Sequence, residues 1–316
     1  MRRLPSILAL IALLPIGYYY WVNPERAELD EHARSEVIGS YVTLSQGITR
    51  YEVAGPDTGR VAVLVHGFSV PQYIWDSTFR ALALAGHRVI RYDVFGRGWS
   101  DRPDAAYDGP FFDAQLGELL DSLKVAGPVD LFGLSFGGFI ASHFASTHPQ
   151  RVRTLVLVDP STSNATVPAI IATPVIGPYM WQVSAVPGMA EGQPSDFLHP
   201  ERFPGWADRY RPQMRYRGFG RALRRSVLTL STADFPGIYA KIAQWGTPVL
   251  LVWGKQDPTT PFANAVNVTG AIPQTELFAV DSSGHLPVLE QSAIVHPRIL
   301  AFLASHPADS APAPAR

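Results

Sequence analysis

A serine with a glycine two residues to either side, Gly133-Leu134-Ser135-Phe136-Gly137, constrains this chain more than any other stretch. It follows the apolar run Pro128-Val129-Asp130-Leu131-Phe132 and opens into the apolar, alanine-bearing segment 139–145, so it reads as strand, one-residue elbow and helix. A serine on such a turn takes up strained backbone, and strand and helix can close on each other only where the flanking positions are small. The hydroxyl is then pushed outward to meet a substrate. The helix that starts there leaves unpaired N–H groups and a positive dipole end beside Ser135, which favours negative charge developing at that point. This is a geometry for acyl transfer. A pattern of three fixed positions also arises by chance or at an ordinary tight turn, so its neighbours in the chain decide its meaning.

Those neighbours alternate between strand and helix. Ser40 to Ser45 and Ile48 to Ala54 read as two strands joined by Gln46-Gly47. Val61 to Val65 is a continuous apolar run of the buried parallel kind, ending in His66-Gly67-Phe68. A helical pattern to about Ala85 leads to a strand over 87–94 and then to the Gly-rich turn Asp93 to Pro103. Phe112 to Val125 presents Leu116, Leu119, Leu120 and Leu123 on one helix face. After the elbow come strands Thr154 to Val158, Val249 to Val252 and Thr275 to Val280, and a closing helix from about Glu290 to Ala304. Such alternation predicts a mostly parallel sheet with helices on both faces and ligand sites at the carboxyl ends of the strands.

Between about Ser161 and Gln244 the strand rhythm stops. Residues 165–189 are apolar and broken by Pro168, Pro174, Pro178 and Pro187, while 201–225 carry eight arginines and two acids. This reads as a helical cap inserted into the α/β domain, its arginines a solvated face. The expected organisation is an N-terminal anchor or signal over 1–24, core over 25–160, cap over 161–244, core again over 245–304 and a disordered Ala/Pro-rich tail over 305–316.

The amino end carries its own expectation. Met1-Arg2-Arg3 precedes nineteen uncharged residues, Leu4 to Val22, that end in an aromatic cluster. At about 1.5 Å per residue that run nearly matches a bilayer core of about 30 Å. The two arginines predict a cytoplasmic N-terminus and an extracytoplasmic catalytic domain, and the Tyr/Trp flank disfavours cleavage. The alternative is a secreted or periplasmic protein after signal removal. Pro5 and Pro15 weaken the helix. A net charge of −1 offers nothing for nucleic acid, and the absence of cysteine excludes disulfides and a thiol nucleophile.

Serine needs a base within hydrogen-bond reach, and the base an orienting acid. Strand Val249 to Val252 leads to Gly254-Lys255-Gln256-Asp257, and strand 277–280 to Asp281-Ser282-Ser283-Gly284-His285. Ser135, Asp257 and His285 therefore form the candidate triad in the chain order Ser, Asp, His. Asp159, also at a strand end, is the alternative acid. His66 reads as fixing its loop, and Asp93, Arg97 and Ser100 as holding the tight turn.

Together His66-Gly67-Phe68, Asp93 to Pro103, Gly133 to Gly137, Gly254 to Asp257 and Ser283-Gly284-His285 make a chain that resembles an α/β-hydrolase of the cap-bearing group. That group includes monoacylglycerol lipase-like esterases, epoxide hydrolases, haloalkane dehalogenases and meta-cleavage C–C hydrolases. The resemblance covers about 37–304. It implies the α/β-hydrolase fold, an oxyanion hole from the backbone N–H groups of Phe68 and Phe136, and no metal or organic cofactor. Serine stands at the elbow where epoxide hydrolases and dehalogenases carry aspartate, which sets their alkyl-enzyme chemistry aside. The resulting expectation is a membrane-anchored serine hydrolase of carboxylic esters, with monoacylglycerols and other lipid esters as candidates and its oligomeric state open. The rival readings are a C–C hydrolase using the same triad and a non-catalytic ligand-binding protein.

Overall fold

The computed structural model describes residues 4–307, with side chains from Leu13 onward. The expected tail falls, beyond Pro307, outside the described residues. Among the described residues the core is one eight-stranded sheet, ordered β1-β2-β4-β3-β5-β6-β7-β8. Its strands are β1 (Ser40–Leu44), β2 (Gly47–Ala54), β3 (Val61–Val65), β4 (Arg88–Tyr92), β5 (Val129–Leu134), β6 (Val152–Val158), β7 (Val249–Gly254) and β8 (Thr275–Val280). The pairs β1–β2 and β2–β4 are antiparallel and the remaining pairs parallel.

Helices α1 (Leu4–Val22) and α2 (Glu31–Ser35) precede the sheet; α3 (Asp76–Leu84), α4 (Gly109–Ser122) and α5 (Phe136–Thr147) connect its first strands. Six helices lie between β6 and β7: α6 (Ala169–Ala172), α7 (Ile176–Ser184), α8 (Met189–Gly192), α9 (Trp206–Tyr210), α10 (Phe219–Thr232) and α11 (Phe235–Trp245). They make the inserted cap. Helices α12 (Ala265–Thr269), α13 (Pro287–Glu290) and α14 (Ser292–Ser305) complete the chain.

The central strands are largely apolar because helices cover both of their faces. Side chains alternate between the two sides: Leu131, Leu155 and Leu251 pack into one core cluster, and Phe132, Val156 and Leu250 into the other. The register aligns the strand ends that matter. Val65 is level with Gly133, Val158 with Val252, and Gly254 with Val280. The loops after β3, β5, β6, β7 and β8 therefore emerge along one edge of the sheet.

A buried polar cluster of Asp130, Arg153 and Thr154 interrupts the apolar strands. Asp130 of β5 is fully buried and accepts from Arg60 Nη2 at 2.6 Å, Arg153 Nη1 at 3.2 Å and Thr154 Oγ1 at 2.7 Å. Removing one partner of a buried ion pair leaves uncompensated charge, so Asp130→Ala should cost about 3–5 kcal/mol. Urea unfolding would measure it, and a loss well under 1 kcal/mol would contradict this account.

The amino-terminal expectation is corrected here. Among the described residues no helix is long and apolar enough to cross a membrane, so the anchor over 1–24, membrane partnership and the extracytoplasmic placement read from them are not supported. Residues 1–3 lie outside the described residues. The physical difference lies at the end of α1, which docks on the cap. Tyr19 stacks on Tyr179 of α7 at 6.2 Å between ring centroids, and Tyr179 Oη donates to Pro15 O at 3.1 Å. The chain beyond is strapped to the cap as well: the Glu25 carboxylate accepts from Gly218 N and Gly220 N, and Ala27 pairs with Tyr216. Several cap arginines are paired with acids, among them Arg209 with Asp76, Arg211 with Glu191 and Arg225 with Asp104.

Candidate active site

Ser135 stands between β5 and α5 with φ 54° and ψ −119°, strained backbone for a residue with a side chain. Its glycine neighbours are required by close approach. A Cβ on Gly133 would lie 2.3 Å from Gly137 O, and one on Gly137 would lie 2.3 Å from Val65 O. The elbow is also tied to β6, since Ser135 N donates to Val158 O and Ser161 N to Ser135 O, both at 3.0 Å. Phe136 begins the helix, so its amide has no acceptor within α5.

His285 follows β8 and is almost fully buried. Its Nδ1 is 2.7 Å from Asp257 Oδ2. Asp257 follows β7 and is held by its own loop: Thr259 N and Thr260 N donate to Oδ1 at 2.7 and 2.8 Å, and Thr260 Oγ1 to Oδ2 at 2.6 Å. Burial would raise the Asp257 carboxyl, but the His285 and Thr260 contacts outweigh it and hold the group below its ordinary range. Burial would likewise lower His285, but the hydrogen bond and charge of Asp257, with Asp196 and Glu290 nearby, hold the imidazole above its ordinary value. The pair is thus set as carboxylate and Nδ1–H imidazole, with Nε2 as the basic nitrogen.

The structure brings Asp257, and not Asp159, onto His285. Asp159 lies behind, fully buried, with Oδ1 accepting from Gly254 N at 2.8 Å and Oδ2 without a hydrogen-bond partner. Burial first, and the charge of Asp257 second, push its carboxyl well above the usual carboxylate range, which favours its protonated form. Ligand atoms of Asp159, Asp257 and His285 lie within 4.8 Å of one another, a group compact enough for a cation. To serve one, His285 would have to give up its bond to Asp257.

Ser135 and His285 line one cavity of 190 Å³ together with Phe68, Ser69, Ile74, Gln193, Asp196 and Thr259. A larger depression of 770 Å³ around Asp104 and Arg225 is open and holds no paired base and nucleophile. Phe68 and Phe136 meet edge to face at 6.0 Å. Arg97, fully buried, braces this corner: Nε donates to Phe68 O at 2.8 Å, Nη2 to Ser226 Oγ of α10 at 2.9 Å, and the guanidinium carbon lies 5.2 Å from the Phe136 ring. Burial lowers it to about 10, still charged at neutral pH.

His66 and Asp93 hold loops. His66 Nε2 accepts from Val94 N, and its Nδ1 contacts Gly67 O, both at 2.9 Å. Burial pushes it down to about 4, so it stays neutral as that bonding requires. Asp93 accepts from Gln72 N and Trp99 N at 3.0 Å, closing the turn. Sequence reasoning missed Thr260, although an acid capping the amides two and three residues on is a local turn signal. It also missed Glu290, six residues past the Gly284 amide it accepts from, and Gln193 and Asp196, whose approach to His285 depends on how the cap sits.

Residues 61–292 match the family model described as alpha/beta hydrolase fold. A Bacillus subtilis (strain 168) protein provisionally named 2-succinyl-6-hydroxy-2,4-cyclohexadiene-1-carboxylate synthase is 28% identical over 282 residues, 84% of this chain and 98% of that protein. The pimeloyl-[acyl-carrier protein] methyl ester esterase of Neisseria meningitidis serogroup B / serotype 15 (strain H44/76) is 25% identical, covering 75% of this chain and 90% of the esterase. The crystal structure of the enol-lactonase from Burkholderia xenovorans LB400 superposes with a TM-score of 0.73 at 20% identity, over 84% of this chain and all of that one. A family match across most of the chain, carried on the parallel sheet and serine elbow described above, means that the protein belongs to the α/β-hydrolase fold family and is a serine hydrolase of that fold.

Proposed function

We propose that the protein hydrolyses carboxylic esters through an acyl-enzyme, with Ser135 as nucleophile, His285 as base and Asp257 as orienting acid. The observation that carries this is the 2.7 Å contact of His285 Nδ1 with Asp257, made in the cavity that the strained Ser135 also lines. Ser135 Oγ attacks the ester carbonyl as its proton passes to His285 Nε2. The Phe68 and Phe136 amides receive the oxyanion, and Asp257 stabilises the imidazolium. His285 then gives the proton to the departing alkoxide; water, activated by the same imidazole, releases the acid. Under this reading 161–244 act as a cap over the two core segments, 25–160 and 245–304.

An ester substrate accords with the naming of the Neisseria relative as an esterase, and the charge-paired base favours catalysis over mere ligand binding. At 190 Å³ the cavity is below the usual 300–1,000 Å³ of ligand sites, which favours small acyl groups over long lipid chains. Across a p-nitrophenyl ester series from acetate to laurate, kcat/KM should fall by at least about tenfold toward the long end. No turnover of any member would sink the ester reading, and a preference for laurate would sink the small-acyl reading.

A further inference from the structure

The loop that carries His285 is sewn into the cap. His285 N donates to Asp196 O at 2.8 Å, and the Asp196 carboxylate accepts from Thr259 Oγ1 at 2.6 Å, on the loop after Asp257. Beneath this seam lies Glu290 at the end of α13, only 3% exposed. Its Oε1 accepts from two cap amides, Leu198 N at 2.8 Å and His199 N at 3.3 Å. Its Oε2 accepts from the histidine loop, Gly284 N at 2.7 Å and Ser283 Oγ at 3.3 Å. Among the described residues no lysine or arginine side chain forms an ion pair with this carboxylate. The two segments also abut: a Cβ on Gly284 would lie 2.7 Å from both Asp196 O and Leu198 N.

We propose that Glu290 is a positioning residue that registers the imidazole of His285 to the closed cap, one carboxylate oxygen holding the cap and the other the catalytic loop. This rests on the reading of Ser135, Asp257 and His285 as the catalytic set. Hydrogen bonds to an ionised acceptor are about twice as strong as neutral ones, and buried amides left without an acceptor are costly. Displacement of this part of the cap breaks the His285–Asp196 bond together with the bonds of Glu290. The imidazole is therefore in register only while the cap is seated, which couples closure over substrate to proton transfer. The carboxyl groups facing His285 are Asp257, Asp196 and Glu290, with Asp159 behind Asp257. Loss of the Glu290 charge should let the imidazole fall toward lower pKa.

The test compares Glu290→Gln and Glu290→Asp in the full chain on a short p-nitrophenyl ester. With Gln, an amide N–H meets backbone N–H groups; kcat should fall about 10- to 100-fold with KM unchanged. The acid limb of kcat/KM should move to lower pH, and the His285 amide, bonded to Asp196 and not to Glu290, should exchange hydrogen faster. Glu290→Asp keeps the charge but reaches one segment only; it should recover part of the rate and leave the limb in place. A folded Glu290→Gln protein with parental kcat, acid limb and His285 amide protection overturns the proposal. If Glu290→Gln does not fold, parental rate and protection in Glu290→Asp overturn it. Ser135→Ala is the control: an active Ser135→Ala protein brings down the catalytic reading instead, and slow His285 exchange in Glu290→Gln would then overturn the positioning role of Glu290 independently.

Discussion

Replacement of Ser135 by alanine is expected to lower ester hydrolysis by on the order of 10⁴-fold or more while the protein stays folded, because what remains is oxyanion stabilisation and binding without a nucleophile. Alanine keeps the Cβ and removes only the hydroxyl, so the backbone at φ 54° is asked for nothing new. The crowding that makes the elbow possible is borne by Gly133 and Gly137 and is untouched. Native circular dichroism together with near-parental turnover of a p-nitrophenyl ester would remove Ser135 from the mechanism.

Asp257→Asn should cost about 10⁴-fold, the size of loss seen when the acid of a comparable triad becomes an amide. The amide presents a donor where His285 Nδ1–H needs an acceptor, and it no longer stabilises the imidazolium. Asp159→Asn should cost less than about tenfold. Burial and the Asp257 charge push the Asp159 carboxyl well above the carboxylate range, toward the protonated form that an amide mimics, and the carboxylate bonded to His285 is that of Asp257. Asparagine also tolerates the positive φ of 42° at that position. The pH profile separates the two further. Only neutral His285 accepts the serine proton, so kcat/KM of the parent should rise with pH through a pKa above that of an ordinary histidine. In Asp257→Asn the raising hydrogen bond and charge are gone while burial, which lowers, remains; the limb should shift to lower pH. A dead Asp159→Asn beside an active Asp257→Asn would transfer the acid role to β6.

Much of the architecture was legible in the chain because the signals are local. Apolar runs with period two, the helix face of Leu116 to Leu123 and a serine between two glycines each depend on residues a few positions apart, and β3 and β8 come out with the bounds read from their apolar pattern. Ser135, Asp257 and His285 could be named because each follows a strand, and parallel strands deliver their ends to one edge. The chain favoured Asp257, the acid after the late strand that precedes the histidine's strand, but left Asp159 open because both stand in Asp-Pro pairs after neighbouring strands; the tertiary packing puts Asp257 on the imidazole and buries Asp159 behind it. The N-terminal run met the length of a membrane span by composition alone, whereas its end is an aromatic surface that the folded cap meets. Arg97 and Asp196 reach the site from segments far from His285 in sequence, and Glu290, six residues past Gly284, joins the histidine loop to the distant Leu198 amide. Their roles arise where the 161–244 segment packs against the carboxyl ends of the strands, since desolvated hydrogen bonds between distant segments leave no periodicity in the chain that makes them.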